Sequence, residues 1–154
     1  MAQQHTLFQA VYALPDLEAT KALGARIAAM LAPGDAVALA GDLGAGKTTL
    51  ARAILASLGV REVVPSPTFT LVQSYETPRL TVSHYDLYRL KSESELDELG
   101  LEDALELGAA LIEWPERAGK RLPPERLTVQ LHAAADGRRA DLSGPDRWRE
   151  LAHA

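Results

Sequence analysis

Gly41-Asp42-Leu43-Gly44-Ala45-Gly46-Lys47-Thr48 carries the chemistry of this chain. A glycine, four residues and then Gly-Lys-Thr form the pattern of a phosphate-binding loop. Gly41, Gly44 and Gly46 lack a Cβ, so the backbone can take left-handed angles and lie against a phosphate chain. Successive N–H groups then point inward as an anion nest. A helix starting near Lys47 adds its positive end to the same place. Lys47 can reach β- and γ-phosphates, and the Thr48 hydroxyl can ligate Mg²⁺.

Hydrolysis needs a second set of groups. Mg²⁺ takes oxygen ligands in octahedral geometry, commonly one or two carboxylates with waters and phosphates. Two apolar runs end in acids: Leu80 to Asp86, and Ala109 to Glu113. Ligands of open α/β sheets bind at the C-terminal ends of strands, so either acid can supply the carboxylate. Asp86 could equally cap a turn, and Glu113 could be an ordinary solvated acid. Pro65-Ser66-Pro67-Thr68-Phe69-Thr70 can fold over a γ-phosphate like a GTPase switch, offering the Ser66, Thr68 and Thr70 hydroxyls, or can be a plain turn. His84 is a proton shuttle or, more simply, a packed strand histidine. Trp114 stacks on a base or partner, or fills core. Arg89 reaches phosphate or stays on the surface. His5, His132 and His153 show no metal-ligand spacing.

The surrounding elements must hold these groups. Leu7 to Leu14 reads as a strand. Asp16 N-caps a helix with Glu18 in its first turn and Leu17, Leu23, Ile27, Met30 and Leu31 on one apolar face, ended by Pro33-Gly34. Asp35 to Ala40 is a buried strand entering the glycine loop, and Thr48 to Leu58 is a helix stopped by Gly59. Phe69 to Tyr75 and Leu80 to Asp86 read as a hairpin around Thr77-Pro78. Ser92 to Gly100 is a short acidic helix, Leu101 to Leu107 a second, and Ala109 to Glu113 a buried strand closed by Pro115. Leu127 to Ala133 and Arg138 to Leu142 flank Asp136-Gly137 as a late hairpin. Asp146 to Ala152 is a terminal helix or tail. The pattern predicts an α/β fold whose central mixed sheet is parallel near the glycine loop, with antiparallel additions.

With 154 residues, 47% hydrophobic and 24% charged, the chain reads as one ordinary globular domain spanning residues 1–154. A net charge of −5 argues against a broad surface for free nucleic acid. The absence of cysteine excludes disulfides, thiol catalysis and cysteine-ligated zinc. No secretory signal or membrane-length apolar run is visible, so the expected compartment is the cytoplasm.

The glycine loop extended to Thr49, then Ser66-Pro67-Thr68-Phe69, His84-Tyr85-Asp86-Leu87-Tyr88-Arg89-Leu90 and Ile112-Glu113-Trp114-Pro115-Glu116, stand in that order. Together they resemble the TsaE (YjeE) family of bacterial ATPases, which are needed for threonylcarbamoyl modification of adenosine 37 in tRNA. The resemblance runs from Leu14-Pro15-Asp16 to about Leu142. It implies a small P-loop NTPase fold binding ATP or ADP with Mg²⁺. Thr48 and Glu113 would hold the metal, and Asp86 would stand near the γ-phosphate. Leu43, Gly44, Ala45, Gly46, Lys47 and Thr48 would wrap the phosphates. Leu17, Thr20 and Gly137 would border the adenine, Leu17 by backbone or packing contact alone. Lys47, Thr68, Asp86 and Glu113 would form the catalytic set. The implied partner is the TsaD–TsaB complex, reset between rounds by ATP turnover and supplied with threonylcarbamoyl-adenylate by TsaC.

Three rivals meet the same residues. A small-molecule kinase finds little chain left for an acceptor site or Arg-rich lid. A GTPase lacks both Asp-x-x-Gly after a strand and a guanine-reading Asn/Thr-Lys-x-Asp. A nucleotide-dependent interaction module without turnover has the same sequence signature. The chain shows no obvious arginine finger, so hydrolysis unaided should be slow.

Overall fold

The computed structural model describes residues 7–42, 44–62, 71–135 and 137–152. Leu43, the 63–70 segment with Ser66, Thr68, Phe69 and Thr70, and Asp136 lie outside them. The expectations placed on those residues are therefore not addressed by the fold.

Among the described residues, seven strands form one sheet, and four α-helices flank it. In chain order these are β1 (Leu7–Leu14), α1 (Leu17–Met30), β2 (Ala36–Ala40), α2 (Lys47–Ser57), β3 (Val72–Glu76), β4 (Thr81–Asp86), α3 (Glu95–Glu98), α4 (Leu101–Leu107), β5 (Gly108–Glu113), β6 (Leu127–Ala134) and β7 (Gly137–Pro145). The spatial order is β1-β7-β6-β2-β5-β4-β3. β6, β2, β5 and β4 are mutually parallel, while β3 and the β7–β1 pair join antiparallel at the two edges. This is the mixed sheet the sequence predicts.

Local chemistry explains the elements around the site. Asp16 caps α1 by accepting from the Ala19 N–H at 2.9 Å. α1 and α2 pack Leu23, Ile27, Leu50, Ile54 and Leu55 against Val37, Leu39, Leu111 and Val129 of the sheet. Tyr85, Leu87, Ile112, Leu96, Leu101, Ala118 and Leu122 form a second cluster on the opposite face. β2 and β5 are therefore covered on both sides, which is why they read as unbroken runs of small and branched apolar residues.

Three details depart from the sequence reading. Leu17, the first residue of α1, is 53% exposed and lies outside the helix's buried set, which begins at Thr20. Within the described residues β3 begins at Val72, since Leu71 has φ 68° and cannot continue a strand inward. The acidic helix shrinks to Glu95–Glu98, with Leu99 at its end and Gly100 at φ 71°. The C-terminal segment is part of the core. After β7, a 3₁₀ turn over Asp146–Ala152 inserts Trp148 and Leu151, both buried, beneath β1.

Candidate functional site

Parity along the strands decides which side chains meet α2. Side chains two apart on a strand share a face. Leu111 faces the α1–α2 cluster and Ile112 the other, so Glu113 projects toward α2. On β4, Val82 faces α2 and Tyr85 faces away, so His84 and Asp86 follow Val82. The parallel register sets Asp86 beside Glu113 at the strand ends. Three polar side chains thus stand on one face where β4 and β5 finish, under the start of α2.

α2 starts at Lys47, with Gly46 at its N-cap in a left-handed conformation (φ 106°). That cap offers no side-chain hydrogen bond, and the first turn holds no acid. The first-turn N–H groups of α2 are thus left without a capping side chain from the helix's own sequence. Lys47 is buried, and its Nζ donates to the Gly41 carbonyl at 2.6 Å and the Asp42 carbonyl at 2.9 Å. Burial pushes its ammonium below the usual lysine range, against the opposing pull of Glu113, Glu116, Asp86 and Asp42. Its Nζ lies 4.2 Å from the Trp114 ring centroid, a cation–π contact.

Thr48 Oγ1 donates to both oxygens of Glu113, at 2.8 and 3.0 Å. Glu113 is 2% exposed and also meets His84 Nε2 at 2.6 Å. The other ring nitrogen, Nδ1, has no partner among the described residues. His84 is fully buried, so it is the packed strand histidine and does not face solvent as a shuttle. Asp86 is 4% exposed and accepts the Tyr88 N–H at 3.0 Å, the turn-capping role, while keeping its place beside Glu113. Arg89 is exposed in the turn after β4.

Trp114 follows Glu113 in a left-handed conformation, φ 57°, uncommon for a bulky residue. It packs against Tyr88 at 4.9 Å between centroids and stays half-buried above Lys47. It belongs to the β5 side of the loop. The three residues expected to border an adenine gather on the other side: Leu17, Thr20 and Gly137 line one open cleft of about 410 Å³, with Leu14, Asp16 and Arg138. Gly137 has a structural reason of its own. At φ 127°, a Cβ there would fall 2.7 Å from both the Leu14 carbonyl oxygen and Pro15 Cα. The hairpin between β6 and β7 can press against the β1–α1 junction only through glycine.

These groups fit a magnesium nucleotide. Nothing among the described residues forms a cluster of three or more acids, histidines or cysteines able to hold a metal unaided. One hydroxyl and one buried carboxylate instead suit an ion that takes its remaining ligands from phosphate and water. Thr48 can keep its proton on Glu113 and still have an Oγ1 lone pair with which it would ligate such an ion. The uncapped helix end and the partly desolvated ammonium suit the phosphates.

The family model for the threonylcarbamoyl adenosine biosynthesis protein TsaE matches residues 14–140. The chain belongs to the TsaE family. A protein of Rickettsia felis named tRNA threonylcarbamoyladenosine biosynthesis protein TsaE is 46% identical over 123 residues, covering 79% of this chain and 72% of the relative. One of the same name from Bacillus subtilis is 42% identical over 123 residues, covering 79% and 77%. The crystal structure of Bacillus subtilis YdiB superposes with a TM-score of 0.76 at 31% identity, covering 97% of this chain and 94% of that one. The family role, biosynthesis of threonylcarbamoyladenosine in tRNA, is thereby shown for this chain, as is the α/β fold.

One contact and one residue of this candidate site escaped the sequence reading. The bond from His84 to Glu113 depends on pairing two strands 29 residues apart, although strand parity already put His84 on the Asp86 face. Arg138 lies across the glycine loop, its Nη2 3.4 Å from the Gly44 carbonyl oxygen. Its position next to Gly137 was the available signal.

Proposed function

We propose that this TsaE-family chain is a slow, Mg²⁺-dependent ATPase of the cytoplasm that acts on the TsaD–TsaB complex during threonylcarbamoylation of tRNA adenosine 37. The observation that carries the reading is the Lys47–Thr48–Glu113 assembly: a buried ammonium, a hydroxyl and a buried carboxylate converge where α2 meets the end of β5.

In this reading the loop amides and the α2 N-terminus hold the β-phosphate. Lys47 exchanges the Gly41 and Asp42 carbonyls for phosphate oxygens, which repay the desolvation of its ammonium better than neutral carbonyls do. Thr48 and Glu113 would hold Mg²⁺, which when bound polarises the phosphate oxygens and offsets their developing charge. His84 keeps the Glu113 carboxylate oriented. Asp86, at the tip of the adjoining strand, can order an attacking water. With Mg²⁺ supplying much of the charge stabilisation and the partner complex completing the site, turnover by the isolated chain is slow.

Calorimetry with ATP and ADP plus Mg²⁺, paired with phosphate release measured with and without TsaD–TsaB, tests the proposal. Binding that disappears in Lys47→Ala is expected. Turnover should fall more than binding in Asp86→Ala and Glu113→Ala, and hydrolysis should change on complex formation. No binding heat from either nucleotide would end the reading; equal rates with and without the complex would remove the partner.

A further inference from the structure

We infer that the outer edge of β1 is a docking edge for a second copy of this chain, the two β1 strands pairing antiparallel about a two-fold axis so that the two sheets join into one. The candidate site takes no part in this contact, because the glycine loop follows β2 and β7 and β6 stand between β2 and β1.

β1 ends the sheet on its side and pairs with β7 alone. The register runs from Leu7 opposite Pro145 to Leu14 opposite Arg138 without a bulge. In an antiparallel ladder, successive residues turn their N–H and C=O alternately to one side and the other. The Leu14 carbonyl points at β7, because a Cβ on Gly137 would fall 2.7 Å from its oxygen. Residues of the other parity, Leu7, Gln9, Val11 and Ala13, therefore turn their N–H and C=O away from β7. Among the described residues no hydrogen bond reaches those groups. Such an unpaired row is a ready partner for another strand.

Sheets commonly protect an edge with charge, proline, a bulge or shortness. The opposite edge does so: β3 has five residues, ends in Glu76 and starts beside Leu71 at φ 68°. β1 has eight residues, Leu-Phe-Gln-Ala-Val-Tyr-Ala-Leu, with no charge and no proline. Its own copy fits this edge. Antiparallel pairing centred on Ala10 sets Leu7 opposite Ala13, Gln9 opposite Val11 and Phe8 opposite Tyr12 of the copy, and opposed side chains share a face. This register uses all the outward residues of both strands and gives about eight backbone hydrogen bonds; moving it by two residues either way leaves about six. No charges meet across the join. Leu7 and Val11, 65% and 68% exposed on the face away from α1, gain cover. One strand edge falls below the roughly 1,200–2,000 Å² of a standard interface, so the dimer should be weak, with a Kd on the order of tens of micromolar.

The test is sedimentation equilibrium over a concentration series for the wild type, Val11→Lys, Val11→Glu and an equimolar mixture of the two variants, with amide hydrogen exchange on the wild type. Val11 is exposed, so a charge there leaves the monomer folded. The wild type should pass from monomer to dimer across roughly tens of micromolar. Each charged variant should raise the Kd at least about 10-fold, because position 11 and its counterpart are diagonal neighbours across the join. The mixture, with opposite charges there, should recover a heterodimer. As the dimer fills, the amides of Leu7, Gln9, Val11 and Ala13 should gain protection, while those of Phe8, Ala10 and Tyr12, which face β7, stay unchanged. A wild type still monomeric at about 1 mM overturns the inference. So does a Val11→Lys dimer as tight as that of the wild type, which would move the contact to another face. Protection of the outward amides in a monomer would give the edge to a segment of the same chain, and overturns it as well.

Discussion

Replacing His84 by leucine tests how Glu113, the carboxylate proposed to face Mg²⁺, is held. Glu113 is 2% exposed and has two donors, the shared Thr48 hydroxyl and His84 Nε2 at 2.6 Å. Without His84, Oε2 keeps only the longer arm of the hydroxyl, at 3.0 Å. A hydrogen bond to a buried charge is worth about 1.5–3 kcal/mol, so the free protein should lose roughly 2 kcal/mol of stability. Metal binding should suffer separately. Partners that orient a metal ligand are worth about 10–100-fold in affinity, so the Mg²⁺ concentration needed for half-maximal ADP binding should rise by at least about 10-fold. His84→Gln, which can present a donor near the position of Nε2, should recover part of both losses. Urea unfolding reads the first effect, and Mg²⁺ titration of ADP binding reads the second. If His84→Leu is destabilised while its Mg²⁺ dependence stays that of the wild type, His84 is a core residue alone and the positioning argument is refuted.

Two further predictions concern the scaffold beneath the site. In Gly108→Ala the new Cβ would lie 1.8 Å from the Thr81 carbonyl oxygen, so the start of the β4–β5 pairing must open; a loss above about 2 kcal/mol is expected in urea unfolding, and a neutral result would refute the close approach. Tyr85 is buried with its hydroxyl donating to the Leu99 carbonyl at 3.0 Å, and burial raises its pKa from 10.0 to about 12. The folded state then retains a proton that the unfolded chain releases, so stability should fall as pH rises from 10 toward 12, by up to roughly 2–3 kcal/mol. Tyr85→Phe should flatten that decline in alkaline urea titrations, at a cost of about 1 kcal/mol at neutral pH.

How much of this was legible in the sequence follows from the range of the forces involved. The glycine loop, α2 and the Asp16 cap depend on residues within one or two turns of each other, and their outlines agree with the structure. The mixed character of the sheet was legible, because doubly covered strands have no polar alternation and the β6–β7 turn carries its own glycine, but the order of its strands was not. Trp148 was illegible, since a short polar tail gives no sign that one indole fills the space beneath β1. His84 and Arg138 lay between these extremes. Their side chains reach the site through strand pairings, and the sequence names the residues without naming the partner strand.

The same sheet order explains why the candidate site has two unlike walls. On the β5–β4 side the strands are parallel, so their C-terminal ends converge and deliver Glu113, Asp86 and His84 to one face under α2. On the β6–β7 side the chain reverses at the very edge where the parallel strands stop. That reversal brings the start of β7, with Gly137 and Arg138, to the height of the glycine loop. An all-parallel neighbour would have placed a strand's C-terminal end there, and the connection would have run away across the sheet face. The antiparallel addition therefore builds the wall of the Leu17–Thr20 cleft and aims a cation at the loop from it. The parallel half supplies acids that, with Thr48, form the proposed metal-binding edge. A polyphosphate with a base at one end and a metal at the other matches that polarity: a cationic, half-apolar wall toward the base, and a carboxylate wall toward the terminal phosphate.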